Sequence, residues 1–220
     1  TDPPQKGDLT AVKRYLNTKN IYIQAGSAYD AYGNETTSTD ANGRITTIEY
    51  DASYHAFPAT VTNPKGHVER SSYYAGSEAG GLFGQLKSKT DPNGNTATFE
   101  YDGFGRKKKI TGPLDTGSTY GSESYEYSVS ATPGSSYVIT RTTEEYGTAS
   151  HLIKIDILDG FERVVQSAKE SEAEGTYGYI TTGYNKRGEV EKVSLPYFGG
   201  GLPSSYAAPP DSAKWMRNAY

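Results

Sequence analysis

One short pattern, an aromatic or Thr, then Asp or Asn, two residues, Gly and a polar residue, recurs along this chain and narrows its fold more than any other feature. It occurs as Tyr29-Asp30-Ala31-Tyr32-Gly33-Asn34 and Thr39-Asp40-Ala41-Asn42-Gly43-Arg44. Thr62-Asn63-Pro64-Lys65-Gly66-His67 varies it with Asn, and Thr90-Asp91-Pro92-Asn93-Gly94-Asn95 precedes Tyr101-Asp102-Gly103-Phe104-Gly105-Arg106. Weaker copies are Leu158-Asp159-Gly160-Phe161-Glu162-Arg163, with Glu in place of Gly, and Tyr184-Asn185-Lys186-Arg187-Gly188-Glu189. Tyr50-Asp51 and Tyr73-Tyr74 keep the tyrosine and lead into longer loops. Each copy has the chemistry of a turn. An Asp or Asn side chain can accept from backbone amides two residues on. Pro64 and Pro92 preset φ for a type I turn, and Gly at the fourth position accepts the left-handed backbone that closes a hairpin with a bulge. Asn42-Gly43 and Asn93-Gly94 are in addition signals for two-residue hairpin loops.

Between the turns lie runs of period two: Ile45–Tyr50, Thr96–Tyr101, Tyr137–Thr142 and Tyr177–Thr182. Six residues at about 3.3 Å each make a strand of about 20 Å, so a turn spacing of 10 or 11 residues gives one strand per beat. The expected fold class is all-β, built of antiparallel hairpin repeats. Hydrophobic residues make up only 34%, and mean hydropathy is −0.70. However, 20 Tyr and 25 Gly supply rings for a half-exposed pleated surface and residues for turns. Disordered chains are poor in aromatics, so disorder is not the expectation. Leu195 to Pro210, Val129 to Ser136 and the flexible glycine-rich Ser77 to Gly84 read as loops. Ala207 to Tyr220 carries one turn of a weak helical pattern and reads equally as a further strand.

Net charge is −4, and Lys107-Lys108-Lys109 is an isolated basic run that reads as a solvated strand face; nucleic-acid binding is not expected. The chain has no Cys, which excludes disulfides and thiolate metal sites. No apolar run reaches the length of a membrane-spanning helix. Thr1-Asp2-Pro3-Pro4 is not a signal peptide, and both ends read as cut from something longer.

Asp91-x-Asn93-x-Asn95 hints at a calcium loop, but the EF-hand Gly belongs at the sixth position and Gly94 is fourth. His55, His67 and His151 lack metal-ligand spacing, and His67 takes the polar place after the turn Gly. Gly80-Gly81-Leu82-Phe83-Gly84-Gln85 lacks the Gly-Lys-Ser/Thr of a phosphate loop, and no Gly-x-Ser-x-Gly elbow is present. Glu144-Glu145 and the cluster Glu170, Glu172, Glu174 read as solvated hairpin ends. Choline binding would want more tryptophan than Trp215; exposed tyrosine rings could stack on sugars.

The copies from Tyr29 onward resemble the YD, or Rhs, repeat family. Within residues 29 to 67, "FPATVTNPKGH" is similar to the B component of bacterial insecticidal toxin complexes. The resemblance implies a β-sheet that spirals into a hollow shell around a largely unfolded toxic polypeptide, which is the C-terminal part of the same chain or of a C-type partner. Teneurins use a related shell in cell adhesion. It further implies a non-catalytic segment of shell wall, secreted or at a bacterial surface, with no cofactor. Its partners would be the remainder of the shell and the enclosed toxin. The alternative is a surface adhesion or glycan-binding module built from the same repeats.

Two family features are not found: the self-cleaving aspartate segment, of which Asp91-Pro92 is only a superficial echo, and a variable tail after Tyr220. The expected organisation is a leading strand pair over 1–28, hairpin repeats over 29–194, a Gly/Pro/Ser-rich loop over 195–212 and the start of a further repeat over 213–220. The turn residues assigned a structural role are Tyr29, Asp30, Gly33, Asp40, Gly43, Asn63, Gly66, Asp91, Gly94, Tyr101, Asp102, Gly105, Asp159, Tyr184 and Gly188.

Overall fold

The structure, a computed structural model, describes residues 7–76, 78–148, 150–173 and 175–218. Thr1, Ser77, Glu174 and Tyr220 therefore lie outside the described residues. The chain is all-β, with 17 strands paired antiparallel and no helix among the described residues. It divides into two compact units, Thr1–Gly105 and Arg106–Tyr220.

The first unit is an eight-stranded meander in which each strand pairs with the next. Its strands are β1 (Ala11–Leu16), β2 (Ile21–Tyr29), β3 (Glu35–Thr39), β4 (Ile45–Tyr50), β5 (Pro58–Thr62), β6 (Val68–Tyr73), β7 (Leu86–Thr90) and β8 (Thr96–Tyr101). In β4 exposure alternates residue by residue, as period two requires. The pairing slips at the tyrosine that ends β2, β4 and β6, so that Tyr29 faces Glu35, Tyr50 faces Pro58 and Tyr73 faces Leu86. Such bulges add twist and stop the ladder where the turn begins. Tyr74 is the one buried side chain among the described residues of this unit.

The second unit holds β9 (Lys107–Thr111), β10 (Glu123–Ser128), β11 (Ser136–Thr143), β12 (His151–Leu158), β13 (Val164–Glu170), β14 (Thr176–Tyr184), β15 (Val190–Ser194), β16 (Tyr197–Gly200) and β17 (Trp215–Arg217). Strands β9 to β14 form a meander. The far half of β14 pairs with β15 and its near half with β16, while β17 adds to β15. Ile139, Ile155, Ile157, Ala168, Tyr177 and Tyr179 make the core. Each isoleucine fully withdrawn from water contributes about 1.5–3 kcal/mol.

Strand β16 lies inside the stretch 195–212 that was expected to be loop. Its support is not local. The Tyr197 ring stacks on Tyr179 at 5.5 Å and 14°, and its hydroxyl meets the Gln166 amide at 2.9 Å and Thr181 Oγ1 at 2.8 Å. Gly199, Gly200 and the prolines that follow hide this short Tyr-Phe alternation from a reading of composition. Beyond it, residues 201–212 are anchored by fully buried Gln166. Its Oε1 accepts from Ala207 N at 3.2 Å and its Nε2 donates to Ala207 O at 2.7 Å. A side-chain amide here takes the place of a strand neighbour and satisfies both backbone groups. In the stretch 207–220, which was open between helix and strand, Trp215–Arg217 is strand.

Candidate functional site: the margins of turns

Every copy of the turn is built alike. In the first, Asp30 N donates to Asn34 O at 2.9 Å and Gly33 N to Asp30 O at 3.3 Å. Asp40, Asn63, Asp91, Asp159 and Asn185 repeat both bonds, and Gly105 N donates to Asp102 O at 3.0 Å. The side chain then accepts from two amides. Asp30 Oδ1 takes Tyr32 N at 2.8 Å and Asn34 N at 2.9 Å, and Asp91 Oδ1 takes Asn93 N and Asn95 N at 2.8 and 2.9 Å. Asp40, Asn63, Asp159 and Asn185 bind the same two positions, and Asp102 takes Phe104 N at 2.9 Å. The glycines at 33, 43, 66, 94, 105 and 188 have φ between 75° and 90°. Asn42 and Asn93 do not have positive φ. The turns are therefore the bulged form, with one left-handed residue, rather than the two-residue Asn-Gly loop, which needs two.

The first and last turn positions are chemically matched. Where the first is Asp, the last is a donor: Asn34 Nδ2 and Asn95 Nδ2 reach the Asp30 and Asp91 carboxylates at 3.0 Å, and Arg163 Nε reaches Asp159 at 2.8 Å. Where the first is Asn185, the last is an acceptor, and Glu189 Oε2 takes Asn185 Nδ2 at 2.7 Å. These bonds hold the carboxylates below the usual range. The Asn34 amide is the leading cause for Asp30, the Asn95 amide for Asp91, and the Arg44 backbone amide for Asp40. At Asp159, burial pushes upward and the Arg163 contacts outweigh it.

Antiparallel alternation places successive turns of the first unit on opposite long margins, and the two margins differ. One carries the turns after Thr39, Thr62 and Thr90, whose middle residues are Ala41-Asn42, Pro64-Lys65 and Pro92-Asn93. The other carries the connections after Tyr29, Tyr50, Tyr73 and Tyr101, and it is aromatic. Here Tyr32 stacks on His55 at 4.2 Å, Tyr54 meets Phe83 edge-on at 4.8 Å and Phe57 stacks on Tyr73 at 5.0 Å. The tyrosine hydroxyls reach backward across the ribbon. Tyr50 donates to Glu35 O and Tyr73 to Pro58 O, at 3.2 and 3.0 Å. Each of those carbonyls belongs to the residue facing the preceding tyrosine at its bulge. Tyr29 donates to Leu9 O at 3.1 Å and Tyr184 to Val164 O at 3.0 Å. Sequence reasoning missed this division of margins, although its signal, the alternation of Tyr-Asp with Thr-Asp, lies in the repeat itself.

Other residues weighed for chemistry have structural surroundings. Gly80 and Gly81 make room for buried Tyr74: a Cβ on Gly81 would come within 2.3 Å of that ring. Asp51 Oδ1 accepts from Ala56 N and Phe57 N at 3.0 Å each, and Oδ2 from Tyr54 N at 2.6 Å and Ser53 N at 3.2 Å. Burial would raise the Asp51 pKa, but these amides outweigh it and bring it down to about 2. The histidines stay apart: His55 stacks on Tyr32, His67 follows the Asn63 turn, and His151 Nε2 lies 3.2 Å from Gly121 O. Glu170 Oε2 accepts from Ile153 N at 3.3 Å and Glu144 Oε2 from Ser150 Oγ at 2.7 Å.

A profile of the RHS Repeat family matches residues 29–68 and 83–116, the stretches that hold five of the seven turns. Those two stretches carry RHS repeats. Solved toxin-complex structures have the same fold. The TcdB2-TccC3 crystal structure superposes with a TM-score of 0.64 at 14% identity, covering 86% of this chain and 12% of that chain. TcdB2-TccC3 without its hypervariable C-terminal region gives 0.63 at 13%, covering 86% and 14%. A Photorhabdus luminescens Tc holotoxin pore gives 0.54 at 14%, covering 81% and 10%. The chain thus spans about one-eighth of the length of the first of these. A search of curated protein sequences finds no significant match.

Proposed function

We propose that this chain is a segment of the wall of an RHS-repeat shell that encloses a toxic polypeptide and helps deliver it, and that it catalyses nothing itself. One observation carries the reading. The first unit has eight strands and, among its described residues, a single buried side chain, Tyr74. Its first two strands expose Val12, Tyr15, Ile21 and Tyr22, and Leu9 just before them is exposed as well. A sheet that leaves this much apolar surface in water is covered by further protein in its working state. The likeness to toxin-complex chains of far greater length supports the same conclusion. The partners proposed are the remainder of the shell and its toxin or C-type partner, and the proposed location is outside the producing cell or at its surface.

The test is to read and express the natural reading frame on both sides of the segment. Further turn copies should flank it. The purified full-length product should show a closed cavity by electron microscopy and protect a non-repetitive segment from protease. A full-length product without a cavity, or with that segment cut as fast as a free peptide, overturns the proposal.

A further inference from the structure

On the aromatic margin, between the Asp51–Phe57 connection and β6, lies a cleft of about 250 Å³. Its walls are the rings of Tyr54, Phe57, Tyr73 and Tyr74, and Ser53 and Ser71 also line it. The connection that carries Tyr54 is tied down before any ligand arrives. The Asp51 carboxylate takes four of its amides, and His55 is held at φ 53°, a backbone region that costs a residue with a Cβ about 1–2 kcal/mol. Strain of this kind persists only where the surroundings impose it. The Tyr54 ring is braced edge-on by Phe83 at 4.8 Å and by Phe57 at 6.3 Å, yet it remains 51% exposed.

The polar groups fall into two kinds. The Tyr73 and Tyr74 hydroxyls are spent on Pro58 O and Phe99 O, so those rings act as walls. The hydroxyls of Tyr54, Ser53 and Ser71 have no hydrogen-bond partner among the described residues. The lining includes no Lys or Arg, and its one carboxylate, Asp51, is fully engaged by amides.

We infer that this cleft binds one neutral pyranose ring, such as the terminal sugar of a glycan. A sugar presents a C–H face that packs on an aromatic ring and a rim of hydroxyls that both donate and accept; fixed rings with open hydroxyls beside them match both. A flat aromatic or lipid ligand would leave those hydroxyls desolvated and unpaired, and an acidic sugar would find no cation in the lining, since Lys87, which lies 5.7 Å from the centre of the Tyr74 ring, is paired with Glu78 at 2.7 Å. The volume lies below the roughly 300–1,000 Å³ of pockets for drug-sized ligands, which sets the limit at a single ring. This inference goes beyond enclosure and does not rest on it.

The probes are the methyl glycosides of glucose, galactose, mannose and N-acetylglucosamine, titrated into the full 220-residue chain and followed by saturation-transfer and amide NMR. At least one should bind saturably in the millimolar range, shifting amides of residues 53–57 and 71–75. Tyr54→Ala should weaken it about tenfold, the worth of one ring stack. Ser71→Ala and Tyr54→Phe, which keep the ring platform, should each weaken it several-fold. Phe161→Ala, which removes an exposed ring in the other unit, should leave it unchanged. If no probe binds saturably at its highest soluble concentration, or if binding survives Tyr54→Phe and Ser71→Ala undiminished, the inference is overturned. Neither result bears on whether the full-length product forms a cavity.

Discussion

Gly94 and Glu162 occupy the same turn position, at φ 87° and 62°, and differ only in whether a side chain has to tolerate it. A Cβ on Gly94 would meet nothing within 4 Å, so substitution there tests the backbone alone. Gly94→Val should lower stability by about 1–3 kcal/mol, the range for strained left-handed residues, read as a drop in the denaturant midpoint. Glu162→Gly should move the midpoint the other way. Its gain is held to a few tenths of a kcal/mol up to about 1, because Gly also gains freedom in the unfolded chain. Equal midpoints for both variants and the parent would remove the turn argument. Asp51 supplies the test in acid. Its folded pKa of about 2 lies below the ordinary 3.8, so its contribution is present above the unfolded value and is lost as pH falls through about 2. Asp51→Asn should therefore unfold more easily than the parent at pH 7, with the gap closing near pH 2. A gap that stays constant would assign the amides' hold on the loop to something other than the carboxylate charge.

At the scale of the strand, the tyrosine hydroxyls tie each hairpin to the one before it. Tyr50→Phe removes only the bond to Glu35 O and keeps the ring. It should cost about 0.5–1.5 kcal/mol, seen as faster amide exchange at the β3–β4 end of the ribbon; unchanged exchange would show that water replaces the bond without loss. These elements differ in how far the sequence reveals them. The turns around Asp30, Asp40 and Asp91 are legible because their bonds close within five residues, and β4 and β8 because alternation is local. β16 was not legible, since Tyr197 is held by Tyr179, Thr181 and Gln166 from distant strands. The cleft at Tyr54 is hidden for the same reason: its walls come from a loop and from the strand after next. The difference between margins was written in the alternating Tyr and Thr, but it acquires meaning only when antiparallel pairing sends alternate turns to opposite sides.

For the whole molecule, the two units hold their strands by different means, and this predicts different responses to opening. The second unit buries Ile155, Ile157, Ala168 and Gln166 almost completely, across adjacent strands β12 and β13. The first relies on ladder bonds, turn carboxylates and half-covered rings around Tyr74. Few buried apolar contacts mean a low free energy of local opening. Native-state hydrogen exchange on the 220-residue chain should find the slowest amides in β12 and β13. Amides of β3 to β5 should exchange faster by at least tenfold, which corresponds to about 1.4 kcal/mol. On the wall reading, the first unit should gain protection in the full-length product while β12 and β13 change little, because the first buries only Tyr74 among its described residues whereas β12 and β13 already bury Ile155, Ile157, Ala168 and Gln166. Equal protection in the two units of the isolated segment would mean that the ribbon needs no neighbour, and the reading of this chain as part of a wall would lose the observation that carries it.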